Sequence, residues 1–107
     1  MIDNHKRHLY EKQAEVVQAL AHPLRLAIAD LLQEGEHCVC EIAEHVGSER
    51  SNISRHLAVM LRAGVVQTRK DGVMAYYRLR TPCILRFLVC ASDVLRHNLE
   101  EDAAALG

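Results

Sequence analysis

Two thiols two positions apart, in Cys38-Val39-Cys40, are the side chains of this 107-residue chain best suited to hold a ligand. A pair of thiolates suits soft, thiophilic ions such as As(III), Sb(III), Cd(II), Pb(II) or Zn(II). Residues two apart on a regular helix point about 200° away from each other, so the pair reaches one ion only under special conditions. Either a helix begins after Cys40, or binding distorts its first turn. The plainer reading is core filling, which fits Cys38 in particular because it shares a helical face with Ile42. Two further cysteines, Cys83 and Cys90, fall on one face of a later helix but about 10.5 Å apart along its axis, too far to share an ion.

A second chemical surface lies in residues 48–64, Ser-Glu-Arg-Ser-Asn-Ile-Ser-Arg-His-Leu-Ala-Val-Met-Leu-Arg-Ala-Gly. At helical spacing Ile53, Leu57, Met60 and Leu61 form one face, and Ser51, Asn52, Arg55, Val59 and Arg62 form the other. Short hydroxyls, an amide and guanidinium groups, with no acid beyond Glu49, suit base edges and phosphates. The stretch is therefore expected to be a DNA recognition helix, with Ser48 as N-cap and Gly64 as C-cap. A third, weaker constellation is Asp93, His97 and Glu100 or Glu101 near the end of the chain, spaced for a harder metal but more readily read as a solvated face.

The elements that must position these groups follow from periodicity. Leu9, Gln13, Val16, Val17 and Leu20 predict a first helix, and His22-Pro23 breaks it, with Pro23 opening the next. Leu24, Ala27, Ile28, Leu31 and Leu32 give that second helix a core-facing stripe ending near Gly35. Residues 37–46 predict a short third helix with an extended start near His37, and Gly47-Ser48 a tight turn. Residues 38–63 thus form a helix-turn-helix. After Gly64 the period changes to two: Val65–Lys70 and Val73–Leu79 predict a hairpin turning at Asp71-Gly72. Arg69 and Lys70 stand near its tip, and Arg78 and Arg80 on the returning strand. A basic hairpin after a recognition helix reads as a wing over residues 65–80. From Thr81-Pro82 a last helix of about 82–100 carries two stripes, Leu85, Leu88, Ser92, Leu95 and Leu99 at 3 and 4 spacing, then Ile84, Phe87, Ala91 and Val94. One small domain cannot cover both, so this helix is expected to dimerise. The tail 102–107 is expected to fray.

Bulk properties agree. The chain is long enough for one domain, 1–107, mainly α with a small β-hairpin. Its formal net charge of −1 conceals an asymmetry: residues 50–80 hold seven Lys/Arg and one acid, residues 30–49 six acids and no Lys/Arg. One face can be strongly basic. No apolar run reaches the ~18–20 residues that cross a bilayer, and the polar start has no apolar leader, so a cytoplasmic protein without membrane contact is expected. There is no Cys-x-x-Cys, no glycine-rich phosphate loop and no βαβ pattern, which argues against an enzyme.

In this order the chain resembles the ArsR/SmtB family of dimeric winged-helix repressors. The residues that carry the resemblance are Ala21-His22-Pro23-Leu24-Arg25-Leu26, Cys38-Val39-Cys40-Glu41-Ile42, Ser51-Asn52-Ile53-Ser54-Arg55-His56-Leu57, Gly64-Val65-Val66, Gly72 and Tyr77-Arg78-Leu79. The resemblance implies a homodimer on an inverted-repeat operator, released by an inducer, with Ser51, Asn52, Ser54, Arg55 and His56 on DNA; the outer helix face and the basic wing tip add Arg62, Arg69 and Lys70 as expected contacts. Cys38-Val39-Cys40 resembles the cysteine box of the arsenic- and cadmium-sensing branches, which favours As(III) or Sb(III). A third cysteine often follows within one turn of that box, and here the place is Ala43. A third ligand would come from Cys83, Cys90, His37 or a partner chain. The zinc ligands that the SmtB branch carries on its terminal helix are only half present, since residue 95 is Leu. The family also includes redox and persulfide sensors, which makes a switch between Cys38 or Cys40 and Cys83 or Cys90 the alternative expectation.

Overall fold

A computed structural model describes residues 1–107. Five helices and a three-stranded antiparallel sheet follow in the order α1 (Asn4–Gln18), α2 (Pro23–Leu32), β1 (His37–Cys38), α3 (Val39–Val46), α4 (Arg50–Arg62), β2 (Val66–Asp71), β3 (Met74–Leu79) and α5 (Leu85–Leu106), with a 3-10 turn at Pro82–Ile84. This is the winged helix-turn-helix arrangement that the periodicities predict. The core is aliphatic. Ile28, Ile42, Ile53, Leu57, Met60 and Val66 are its largest fully enclosed side chains, contributed by α2, α3, α4 and β2. No buried residue is polar or charged.

Local chemistry explains most boundaries. The Asp3 carboxylate accepts from the Lys6 N–H at 2.8 Å and starts α1. The His22 imidazole Nδ1 accepts from the Leu24 N–H at 3.1 Å, and Pro23 supplies the first turn of α2. Gly64, at φ +80°, closes α4 with a left-handed residue: its N–H reaches the Leu61 carbonyl, and the Val65 N–H reaches that of Met60 at 2.9 Å.

Several expectations need correction. α4 begins with Glu49 as N-cap and not Ser48, whose hydroxyl instead accepts from the Asn52 side chain at 2.9 Å. Leu61 is 39% exposed, whereas Val59 packs against the core, so the buried face of α4 is rotated from the projection. The hairpin turns at Gly72-Val73, since Asp71 pairs with Met74; Gly72 at φ +63° supplies the positive dihedral such a turn needs. The two-residue strand β1 adds a third strand, pairing His37 with Tyr77 and Cys38 with Tyr76. The last helix, expected to end near 100 with a frayed tail over 102–107, runs from Leu85 to Leu106.

The terminal helices stand apart from this core. Neither α1 nor α5 has a single buried residue, although Leu9, Val17, Phe87, Val89, Val94, Leu95 and Leu99 are apolar and exposed. The radius of gyration is 16.9 Å, against about 13 Å for a compact chain of this length. That excess is the shape of a subunit whose terminal helices project beyond its own core.

Candidate DNA interface and thiol site

The exposed side of α4 is organised before any ligand arrives. Ser51, Ser54 and Arg55 are exposed, and Asn52 is half-buried. The Asn52 amide donates to Ser48 Oγ at 2.9 Å, and Arg55 Nη2 donates to Asn52 Oδ1 at 2.8 Å. This chain of two hydrogen bonds orients one guanidinium outward from the helix. Arg62 is also exposed but lies about 10 Å farther along the axis, in the last turn.

His56 is less available than its neighbours. It is half-buried, and its ring lies 4.4 Å from that of His22, tilted by 43°. Burial, followed by the charges of His22, Arg25 and Arg55, holds the His56 imidazole below its ordinary pKa. The contact ties the recognition helix to the N-cap of α2.

The two basic residues near the wing tip point to opposite faces. Register places Arg69 beside Tyr76 and Lys70 beside Ala75. Lys70 is exposed, with no acidic partner. Arg69 is engaged: its Nε lies 3.0 Å from both Glu36 carboxylate oxygens, its Nη2 also meets Glu36, and its guanidinium lies 4.7 Å from the centre of the Tyr76 ring. The Arg69 partnership keeps the Glu36 carboxyl below the usual carboxylate range.

At the thiol pair, the structure follows neither of the two routes expected from helix geometry. The helix begins between the cysteines. Cys38 is the extended N-cap residue of α3, at φ −80° and ψ 165°, and Cys40 lies in the first turn. The change of backbone conformation swings the two sulfurs together, 2.7 Å apart. The Cys38 N–H donates to the Glu41 carboxylate at 3.0 Å, one half of a capping box in which sulfur replaces the usual hydroxyl. Cys38 is buried, and that burial, then its contact with Cys40, pushes its thiol pKa up. Cys40 is half-buried and opens onto a cleft of about 450 Å³ lined by Glu44, Ser48, Glu49 and Arg50, between α3 and the start of α4.

The other candidate ligands are not gathered around this pair. His37 Nδ1 faces Glu41 at 3.6 Å, and Cys83 and Cys90 are free and exposed. Asp93 accepts from Arg96 at 2.9 Å, while His97 faces Glu100 at 3.8 Å. Within one chain, no three His, Cys, Asp or Glu side chains are arranged to hold a metal. The extended start expected near His37 is β1, but its pairing with β3 and the Glu36–Arg69 pair leave no local signal, because a two-residue strand has no period and Glu36 and Arg69 stand 33 residues apart.

Comparison with known proteins agrees with this geometry. Residues 22–68, from the cap of α2 into β2, match the family described as bacterial regulatory protein, arsR family. An uncharacterised HTH-type transcriptional regulator of Mycobacterium tuberculosis is 41% identical over 99 residues, spanning 92% of this chain and 87% of that protein. An arsenical resistance operon repressor of Staphylococcus xylosus is 34% identical over 70 residues, 65% of this chain and 67% of its own. A cadmium resistance regulatory protein homolog of Staphylococcus aureus is 39% identical over 67 residues, 62% of this chain and 55% of its own. Among solved structures, the homodimeric winged helix-turn-helix DNA-binding domain of a possible ArsR-family regulator from Mycobacterium bovis has a TM-score of 0.78 at 32% identity, covering 94% of this chain and 93% of that one. These relatives are transcriptional regulators, not enzymes. A polar-faced helix, a basic hairpin and two uncovered terminal helices are what such a regulator presents to DNA and to its twin: the chain belongs to the ArsR family of DNA-binding, dimeric transcriptional repressors.

Proposed function

We propose that this repressor binds an inverted-repeat operator in the cytoplasm as a dimer joined through α1 and α5, and that a thiophilic metal or metalloid ion on Cys38 and Cys40 releases it. Ser51, Asn52 and Arg55 read bases, while Ser54, His56, Arg62 and Lys70 meet phosphates. The observation that carries the inducer reading is the convergence of two sulfurs at the β1–α3 junction. That junction touches both DNA-reading elements: β1 pairs with β3 of the wing, and α3 packs on α4 within the core that holds Ile42, Ala43 and Ile53.

The geometry also supplies a mechanism. Two sulfurs on one tetrahedral zinc, at about 2.3 Å each, stand about 3.8 Å apart. The paired thiols must give up their protons to admit such an ion. Because Cys38 caps α3 and pairs with Tyr76 of β3, drawing both sulfurs onto one ion disturbs the first turn of α3 and the strand pairing beside it. The third ligand comes from a partner chain or from solvent, as no third donor stands ready within the chain. The arsenical and cadmium resistance relatives favour As(III), Sb(III) or Cd(II) over a switch between this pair and Cys83 or Cys90. A mobility-shift assay on the DNA upstream of the chain's own gene, with and without As(III) and Cd(II), tests the reading. Retarded DNA should be released by the ion, and Cys38→Ser or Cys40→Ser should abolish release while preserving retardation. Release that persists in both variants would place the inducer site elsewhere.

A further inference from the structure

We propose that the cleft between the end of α4 and the outer face of the β2–β3 hairpin is a phosphate-binding site built by Arg69, Arg78 and Arg80, which Glu36 occupies as an internal counter-ion until a phosphate displaces it. The cleft has a volume of about 660 Å³, and its polar lining is Glu36, Gln67, Thr68 and the three arginines. Strand alternation places Arg69 and Arg78 on the face opposite the buried Val66 and Leu79, and Arg80, whose N–H still pairs with the Val65 carbonyl at 2.9 Å, continues that face. A side chain at residue 64 would begin 3.3 Å from the Arg80 guanidinium, so the glycine that closes α4 also leaves room for this arginine.

Charge is unbalanced inside the cleft. Glu36 meets Arg69 through both carboxylate oxygens, whereas Arg78 and Arg80 have no carboxylate within 4.0 Å. A guanidinium fork donates to two oxygens of a carboxylate or of a phosphate alike. Glu36 thus presents to Arg69 the oxygen pair that a phosphate would present, and two further guanidiniums remain for a group of higher charge. The ligand class is a phosphate oxyanion, supplied either by the DNA backbone or by a free phosphate compound. The DNA source rests on the proposed DNA interface; the free source does not.

Two measurements on the full chain distinguish these sources. In the first, binding to a random-sequence duplex is followed by fluorescence anisotropy as KCl is varied. Each phosphate contact contributes about 0.9 to the slope of log K against log salt. Arg78→Gln/Arg80→Gln should flatten the slope by up to about 1.8, and Glu36→Gln should steepen it by about 0.9 through release of Arg69. Adding Arg69→Gln to Glu36→Gln should cancel the gain, and Glu34→Gln, a neighbouring acid with no arginine partner, should leave the slope in place. In the second, pyrophosphate at constant ionic strength is tested for a rise in Tm. Altered slopes assign the site to the DNA backbone. Unmoved slopes, with a pyrophosphate-induced rise that Arg78→Gln/Arg80→Gln removes, assign it to a free phosphate compound and leave the α4 interface standing. Unmoved slopes and no such rise overturn the proposal, and Glu36→Gln, a single exposed change, guards against misfolding of the double variant.

Discussion

Arg55 and Asn52 offer the sharpest test of how the recognition helix works. Arg55 Nη2 donates to Asn52 Oδ1 at 2.8 Å, and Asn52 is itself held by Ser48 at 2.9 Å. One edge of the guanidinium is thereby fixed, and the remaining donors face outward. If they grip a guanine with two hydrogen bonds, Arg55→Ala should cost about 1–3 kcal/mol on the operator. That is roughly a 5- to 140-fold rise in Kd. Asn52→Ala should cost its own base contact and also loosen Arg55. The two losses overlap, so the double variant should be weaker than wild type by less than their sum. The shared hydrogen bond is exposed, which puts the coupling at about 0.5–1 kcal/mol, the low end for residues in contact. The assay is anisotropy titration of wild type, both single variants and the double variant, on the operator and on a scrambled duplex of equal length. Equal weakening on the two duplexes would make Arg55 a phosphate contact. Strict additivity would mean that the Ser48–Asn52–Arg55 chain does not orient the reader.

Two further outcomes follow from the packing and from the titration of α4. Leu57 is wholly enclosed and Leu61 is 39% exposed. In urea unfolding, Leu57→Ala should therefore cost about 2–5 kcal/mol and Leu61→Ala about 0.5 kcal/mol or less; similar costs would show that the α4 face is assigned wrongly. His56 is held below its ordinary value of 6.5 by burial and then by its cationic neighbours, so the unfolded chain binds more protons in the interval beneath 6.5. Its contribution is fully present above about pH 6.5 and is lost as pH falls through the folded pKa. Unfolding free energy should accordingly decline from pH 7.5 to 5.5 more steeply in wild type than in His56→Gln, and parallel declines would remove His56 as the cause.

The sequence by itself determined the elements whose cause is local. Helical spacing of Leu24 to Leu32 and of Ile53 to Met60, Pro23 at a helix start, Gly64 at a helix end and the change to alternation after it are all short-range signals, and each produced its element. The polar face of α4 was legible for the same reason: residues three and four apart share a face whatever surrounds them. Even the uncovered stripe of α5 could be read, since an excess of apolar spacing is a property of the chain alone.

Tertiary structure decided whatever depends on groups distant in the chain or on a change of backbone conformation. Cys38 and Cys40 diverge on any regular helix and converge only because β1 pairs with β3, holding Cys38 extended while Cys40 is already helical. Arg69 looks like a free cation at a hairpin tip until the fold carries Glu36 across to it. His56 looks like a fully exposed side chain until α2 sets His22 against its ring and leaves it half-buried. Contacts of this kind carry no period in the sequence, because their partners are brought together by packing and not by spacing.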